Sequence, residues 1–124
     1  MAWNFNDNAP IYLQIVSTLK GNIASGAYPP GSRLPSVRDL AMEAGVNPNT
    51  MQRAFAELER EGLVLTQRTA GRTVTEDAVR IEAVKRRLAS AAIQTFWVSM
   101  RLLGFDQKEA LQMLTESGKT ERTD

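Results

Sequence analysis

The chain has 124 residues, 43% of them hydrophobic, and carries 15 Lys and Arg against 14 Asp and Glu, a net charge of +1. That length allows one compact domain, or one small domain with an appendage, and the hydrophobic share supports a core. The near-neutral balance excludes a basic field over the whole surface, so any nucleic-acid contact has to come from a local patch, while the lack of Cys and His removes disulfides, thiol nucleophiles, His general bases and most zinc sites.

Residues 1–9 read as an irregular arm in which Trp3 and Phe5 alternate with polar residues, either docked on a neighbour or frayed. The arm lacks the basic and apolar regions of a signal peptide, and no apolar run approaches the ~20 residues of a membrane span. A cytoplasmic protein with no membrane contact is the expectation. Pro10 signals a helix start. Ile11, Ile15, Leu19 and Ile23, with Tyr12 and Val16 beside them, make a helical stripe that ends near Gly26. The Gly- and Pro-rich stretch that follows permits at most a short strand around Arg33 and Leu34.

Ser36 is placed to cap a second helix, with Asp39 as its capping-box partner. Val37, Leu40, Ala41 and Ala44 form the inner face, and Gly45 ends it. A tight turn through Val46 leads to Asn47, a good N-cap, and to Pro48, which suits the first helical position. Met51, Ala54, Phe55 and Leu58 then give one apolar stripe. At about 100° per residue, Asn49, Arg53, Ala56 and Arg60 point the opposite way, with Gln52 on one flank. Amide groups can bridge adenine and guanidinium groups can bridge guanine, so this face can read base edges. The alternative for the helix alone is an amphipathic surface helix with a solvated face. Two short amphipathic helices joined by such a turn describe a helix-turn-helix.

Gly62 ends the third helix. Residues 63–66 and 73–75 are strand-like and form a hairpin, with Arg68 and Arg72 expected on its tip. A hairpin in this position reads as a wing. Residues 1–75 carry 7 basic and 6 acidic groups, yet Arg38, Arg53, Arg68 and Arg72 fall on the elements expected to meet DNA. Arg68 and Arg72 are otherwise ordinary hairpin charges, and Arg38 an ion-pair partner of Asp39 or Glu43.

From residue 77 to residue 103 one long helical pattern runs without Gly or Pro. Ile81, Leu88, Thr95 and Leu102 recur every seven residues, with Val84, Ala91 and Val98 between them at 3-4 spacing. After Gly104, Asp106 and Glu109 make a capping box for a last helix, which is expected to end near Ser117 and Gly118, leaving a frayed polar tail. A segment this small cannot bury its apolar surface alone. A second copy of the chain, joined about a two-fold axis, is the expected partner, with Ile81, Val84, Leu88, Thr95, Val98 and Leu102 at the interface. Folding of the long helix back onto its own N-terminal domain is the alternative.

Several motifs in fixed order resemble the winged helix-turn-helix of GntR-type bacterial transcriptional regulators. They are Pro10-Ile11-Tyr12, Gly26-Ala27-Tyr28-Pro29-Pro30-Gly31, Leu34-Pro35-Ser36-Val37-Arg38-Asp39-Leu40-Ala41, Gly45-Val46-Asn47-Pro48-Asn49-Thr50 and Glu61-Gly62-Leu63. The resemblance covers about residues 10–75, and the short two-helix tail is similar to that of the YtrA subgroup. It implies that Arg38, Ser36, Asn49 and Thr50 lie against phosphates and bases, and that Gly71 lets the wing backbone enter the minor groove. Several relatives carry Arg at the positions of Pro48 and Gln52, so their operators are no guide to this one. Arg53 is the guanidinium the helical wheel itself selects.

The expected fold is therefore mainly α with a small β wing: a winged helix-turn-helix over residues 1–75 and a short C-terminal helical dimerisation domain over residues 76–124. The expected function is that of a homodimeric regulator, a repressor, binding a palindromic double-stranded DNA operator. Arg33 and Asn47 complete its expected DNA surface. No catalytic residue, metal or cofactor is expected, because no paired carboxylates or phosphate loop accompany the missing His and Cys. A winged helix used for protein contacts would need an apolar patch in place of Asn49, Gln52 and Arg53. A small-molecule effector is a further candidate partner, in a pocket among Phe96, Trp97, Met100 and the N-terminal aromatic residues, with a plain dimer core as the alternative.

Overall fold

The computed structural model describes residues 3–121, as α1 (Ile11–Ser25), α2 (Val37–Ala44), α3 (Pro48–Arg60), β1 (Val64–Gln67), β2 (Gly71–Val74), α4 (Ala78–Leu102) and α5 (Gln107–Glu121). It is mainly helical with one two-stranded antiparallel sheet, as expected. Two compact units are present, Met1–Arg86 and Arg87–Asp124. They meet inside α4, whereas the sequence expectation set the boundary at residues 75 and 76.

In the first unit α3 is the central element. Its stripe of Met51, Ala54, Phe55 and Leu58 is fully buried, and both α1 and α2 pack against it. Ile15, Leu19 and Ile23 of α1, Leu40 and Ala41 of α2, and Leu34, Leu63, Val64 and Val74 complete the core. Each such large side chain contributes about 1.5–3 kcal/mol by leaving water.

The N-terminal arm is folded on its own helix. The Gln14 side-chain amide donates to the carbonyls of Asn6 (2.8 Å) and Ala9 (2.7 Å) and accepts from the Asn6 amide (3.0 Å). Trp3 and Phe5 stack with ring centroids 5.9 Å apart. Pro10 occupies the N-cap position rather than the first helical turn, so α1 begins without a side-chain cap, and the Gln14 clamp does the bracing instead.

The hairpin pairs Val64 with Val74 and Gln67 with Gly71, leaving residues 68–70 as the turn. Gly71 has φ +72°, the left-handed conformation that closes a short hairpin of this kind. The strands thus extend further toward the tip than expected, and Arg72 sits in β2 opposite Thr66 rather than on the turn. The preceding loop lies along β2: Arg33 bridges Thr73, the Leu34 amide donates to the Arg72 carbonyl (2.9 Å), and the Val74 amide donates to Ser32 (2.9 Å). The stretch expected to permit at most a short strand around Arg33 and Leu34 thus makes a single isolated bridge, at Arg33.

Asp77 accepts from the Arg80 amide at 3.1 Å and so starts α4. The Arg80 guanidinium then donates to the Glu61 carbonyl at 2.9 Å, capping the end of α3. In the second unit the Asp106–Glu109 capping box is made in full: the Glu109 amide donates to Asp106 (2.8 Å) and the Asp106 amide to Glu109 (3.2 Å). The helix it starts passes through Ser117 and Gly118 to Glu121, beyond the expected stop. One interior Gly costs only about 1 kcal/mol relative to Ala, and no Pro follows to end the helix. The remainder of the expected frayed tail, residues 122–124, lies outside the described residues. No helix among the described residues is long and apolar enough to cross a membrane.

Candidate nucleic-acid interface

The interface is built from local signals that orient α3. The Asp39 amide donates to Ser36 Oγ at 3.0 Å, which fixes the start of α2. Gly45, with φ +70°, ends α2, and the Val46 amide donates back to Ala41 at 3.0 Å. Asn47 then caps α3 by accepting from the Asn49 amide at 2.7 Å, with Pro48 in the first turn. Because the apolar stripe of α3 is buried, Asn49, Gln52 and Arg53 are turned outward and exposed.

Seven of the residues expected to meet DNA line two depressions. Asn49, Thr50 and Arg53 share a depression of about 410 Å³ with Pro10, Ile11 and Tyr12 of the first helix start. Arg33, Ser36, Gly71 and Arg72 surround a smaller one of about 140 Å³ between the start of α2 and the wing. Gln52 and Arg38 are exposed on α3 and α2, and Arg68 is exposed in the hairpin turn.

Charge pairing divides the cations. Among the described residues, no carboxylate lies within ion-pair distance of Arg33, Arg38, Arg53 or Arg68. The ion pair of Arg38 with Asp39 or Glu43 considered for the sequence is thus not formed. Arg72 is engaged: its Nε donates to Glu59 at 2.6 Å, and its guanidinium carbon lies 5.3 Å from the Phe55 ring centroid. This donation holds the Glu59 carboxyl below its ordinary pKa against the opposing effect of burial. Arg60 is likewise paired with Glu57, whose carboxyl it lowers in the same way. Arg72 therefore ties the wing to α3, a role that residue type alone did not reveal. The contact made by Tyr12 was not foreseen either. Its ring lies under the Arg53 guanidinium, 3.8 Å from carbon to centroid. Its sequence signals were its place at the edge of the α1 stripe and in the Pro10-Ile11-Tyr12 motif, and neither points to Arg53.

The residues expected at a dimer interface are spread over both units. Val84 lies in the first unit and is only 6% exposed in the single chain, which leaves little of it for a partner to cover. Heptad spacing marks a face as apolar but does not say which surface covers it. Ile81 and Leu88 are half-buried, Thr95 is exposed with its hydroxyl donating to the Ala91 carbonyl (3.1 Å), and Val98 and Leu102 are exposed. Leu103, Leu111, Met113 and Leu114 are exposed as well. Within the second unit, Gln94, Trp97, Met100, Arg101, Phe105, Asp106, Gln107 and Ala110 line a cleft of about 510 Å³.

Residues 11–74 match the bacterial regulatory proteins of the gntR family. The chain belongs to the GntR family. The uncharacterised HTH-type transcriptional regulator YhcF of Bacillus subtilis is 37% identical over 92% of this chain and 97% of its own length. The HTH-type transcriptional repressor YtrA of the same organism is 36% identical over 77% of this chain and 78% of its own. A solved GntR family transcriptional regulator from Listeria monocytogenes superposes with a TM-score of 0.80 at 38% identity, covering 90% of this chain and 98% of that one. Near-complete coverage of YhcF and the Listeria protein extends the likeness beyond the winged helix-turn-helix to the helical C-terminal part, and the match to YtrA sets this GntR protein beside the YtrA-like members. It is a transcriptional regulator with a winged helix-turn-helix DNA-binding domain, and its relatives are regulators rather than enzymes.

Proposed function

We propose that this GntR-family chain is a homodimeric repressor that binds a palindromic operator. The observation that carries the DNA reading is the outward face of α3, where Asn49, Gln52 and Arg53 are exposed, together with Arg33, Arg38 and Arg68, which have no carboxylate partner among the described residues. In this reading α3 enters the major groove, Asn49, Gln52 and Arg53 meet base edges, and Arg33, Ser36, Arg38, Asn47 and Thr50 meet mainly phosphates. Arg68, Gly71 and Arg72 follow the adjacent minor groove, with Arg72 also retaining its tie to Glu59. The side chains of Ser36 and Asn47 already accept from backbone amides. Their proposed part in DNA contact is therefore secondary to capping.

Dimerisation is supported by the second unit, which leaves Val98, Leu102, Leu103, Leu111, Met113 and Leu114 exposed. So many exposed apolar side chains in one short segment point to an interaction site. A two-fold dimer presents two recognition helices to half-sites roughly one helical turn, or a multiple of it, apart. Repression is the reading favoured by likeness to YtrA, itself named a repressor. A place of action on DNA implies a cytoplasmic location. Selection of bound DNA from a random pool tests the proposal: enrichment of an inverted repeat is expected, and recovery of unrelated sequences would overturn it.

The cleft lined by Trp97, Met100, Phe105 and Arg101 favours one addition, a small-molecule effector with an apolar body and an anionic group facing Arg101. It lies wholly in the second unit and does not include the N-terminal aromatic residues. A thermal-shift screen of aromatic carboxylates should raise the melting temperature of the wild type and not of Trp97→Ala.

A further inference from the structure

The first turn of α1 and the first two turns of α3 line one depression, and within it two side chains from different helices are in face contact. The Arg53 guanidinium carbon is 3.8 Å from the centre of the Tyr12 ring. Arginine is a long chain with many rotamers, and on an exposed helix face it would sample most of them. Here its guanidinium carbon lies over an aromatic face, the arrangement in which the ring quadrupole attracts the cation. A guanidinium held by its face leaves its N–H donors free at the edge, which is the part that bridges guanine O6 and N7. Among the described residues no hydrogen bond or ion pair engages those donors. The ring itself is carried on a fixed element, because Gln14 pins the arm across the start of α1 and Ile15 and Val16 bury that helix.

We propose that Tyr12 is a specificity-positioning residue: its ring sets the direction in which Arg53 presents its donors to one base pair. The inference rests on α3 being the recognition helix. Tyr12 acts through Arg53 and makes no base contact of its own. Its removal should therefore blur the choice at a single base pair and leave the remaining contacts intact.

The test uses the full chain and the operator that the wild type selects from random DNA. Arg53→Ala first identifies the base pair at which discrimination depends on Arg53. Tyr12→Leu should then lose about two- to five-fold of discrimination at that base pair, the range expected for one exposed cation–π contact. Discrimination at other base pairs and affinity for random DNA should stay as in the wild type. Tyr12→Phe, which keeps the ring, should restore the preference, and Tyr12→Leu should have no further effect in an Arg53→Ala background. Should Tyr12→Leu fail to fold, Tyr12→Met keeps more of the volume without the ring face and carries the same expectation. Unchanged discrimination, an equal loss at all base pairs, or an effect that persists without Arg53 would each overturn the proposal. A wild type that selects no sequence at all would instead overturn the recognition-helix reading.

Discussion

At the scale of single residues, two arginines on the same surface have opposite situations. Arg53 is exposed, rests on Tyr12 and has no acidic partner among the described residues, whereas Arg72 is committed to Glu59. Arg53→Ala should relax sequence preference by ~1–3 kcal/mol at one base pair while leaving the melting temperature nearly unchanged. Competition binding against operator variants reads the first effect and calorimetry the second. If the variant binds operator and random DNA as the wild type does, Arg53 reads no base. For Arg72 the expectation concerns stability and pH. The Glu59 carboxyl titrates below its ordinary value of about 4.3 because Arg72 donates to it, so the ion pair stabilises the fold above that value. The stabilisation is lost as pH falls through the lower, folded-state value. Both side chains remain partly in water, at 26% and 33% exposure, which keeps the contribution at or below about 1 kcal/mol. Denaturant unfolding of Glu59→Gln should therefore show a small deficit against the wild type near neutrality. The deficit should shrink as the pH is taken below the usual carboxylate range. A constant deficit would mean that Glu59 contributes by packing alone.

At the scale of elements, α3 serves as core and as the proposed reading surface at once, and the two faces are not equally robust. Phe55 is completely buried and touches neighbours on every side, so Phe55→Ala should cost about 3–5 kcal/mol in urea unfolding. A loss below about 1 kcal/mol would mean that the core closes over the gap. Most of this element was legible in the sequence because its determinants are local: the Asn47 cap, Pro48, the turn at Gly45 and the four-residue apolar stripe all lie within the helix or beside it. The Asp106–Glu109 box was legible for the same reason. What could not be read were contacts between residues distant in sequence. Tyr12 with Arg53 and Arg72 with Glu59 depend on how α1 and the wing come to rest on α3, and no local pattern encodes that. The face of α4 is an intermediate case. Its heptad spacing marked Val84 and Leu102 as alike, yet one is buried in the first unit and the other is in water. Periodicity reports which side is apolar, and tertiary packing decides what covers it.

At the scale of the whole molecule, the apolar surface of the second unit sets the strongest requirement. Leu102 is 83% exposed in the single chain, so a charge there should leave the fold of the monomer intact. If α4 meets its counterpart in a dimer, the same charge becomes buried without a partner, which costs about 3–5 kcal/mol. Leu102→Asp should then weaken self-association by more than about a hundred-fold, since each 1.4 kcal/mol is a factor of ten. Val79→Asp is the matching control, because Val79 is equally exposed but lies outside the expected interface. Sedimentation should show a dimer for the wild type and Val79→Asp and a monomer for Leu102→Asp, all three with the same helical content. Operator binding should follow the dimer, because one recognition helix reads only one half-site. The monomeric variant should keep weak, salt-sensitive affinity for any DNA, since the phosphate contacts proposed for Arg33, Arg38 and Arg68 do not require a partner. A wild-type chain that sediments as a monomer, yet still selects an inverted repeat, would remove α4 from the interface and require dimerisation on the DNA itself.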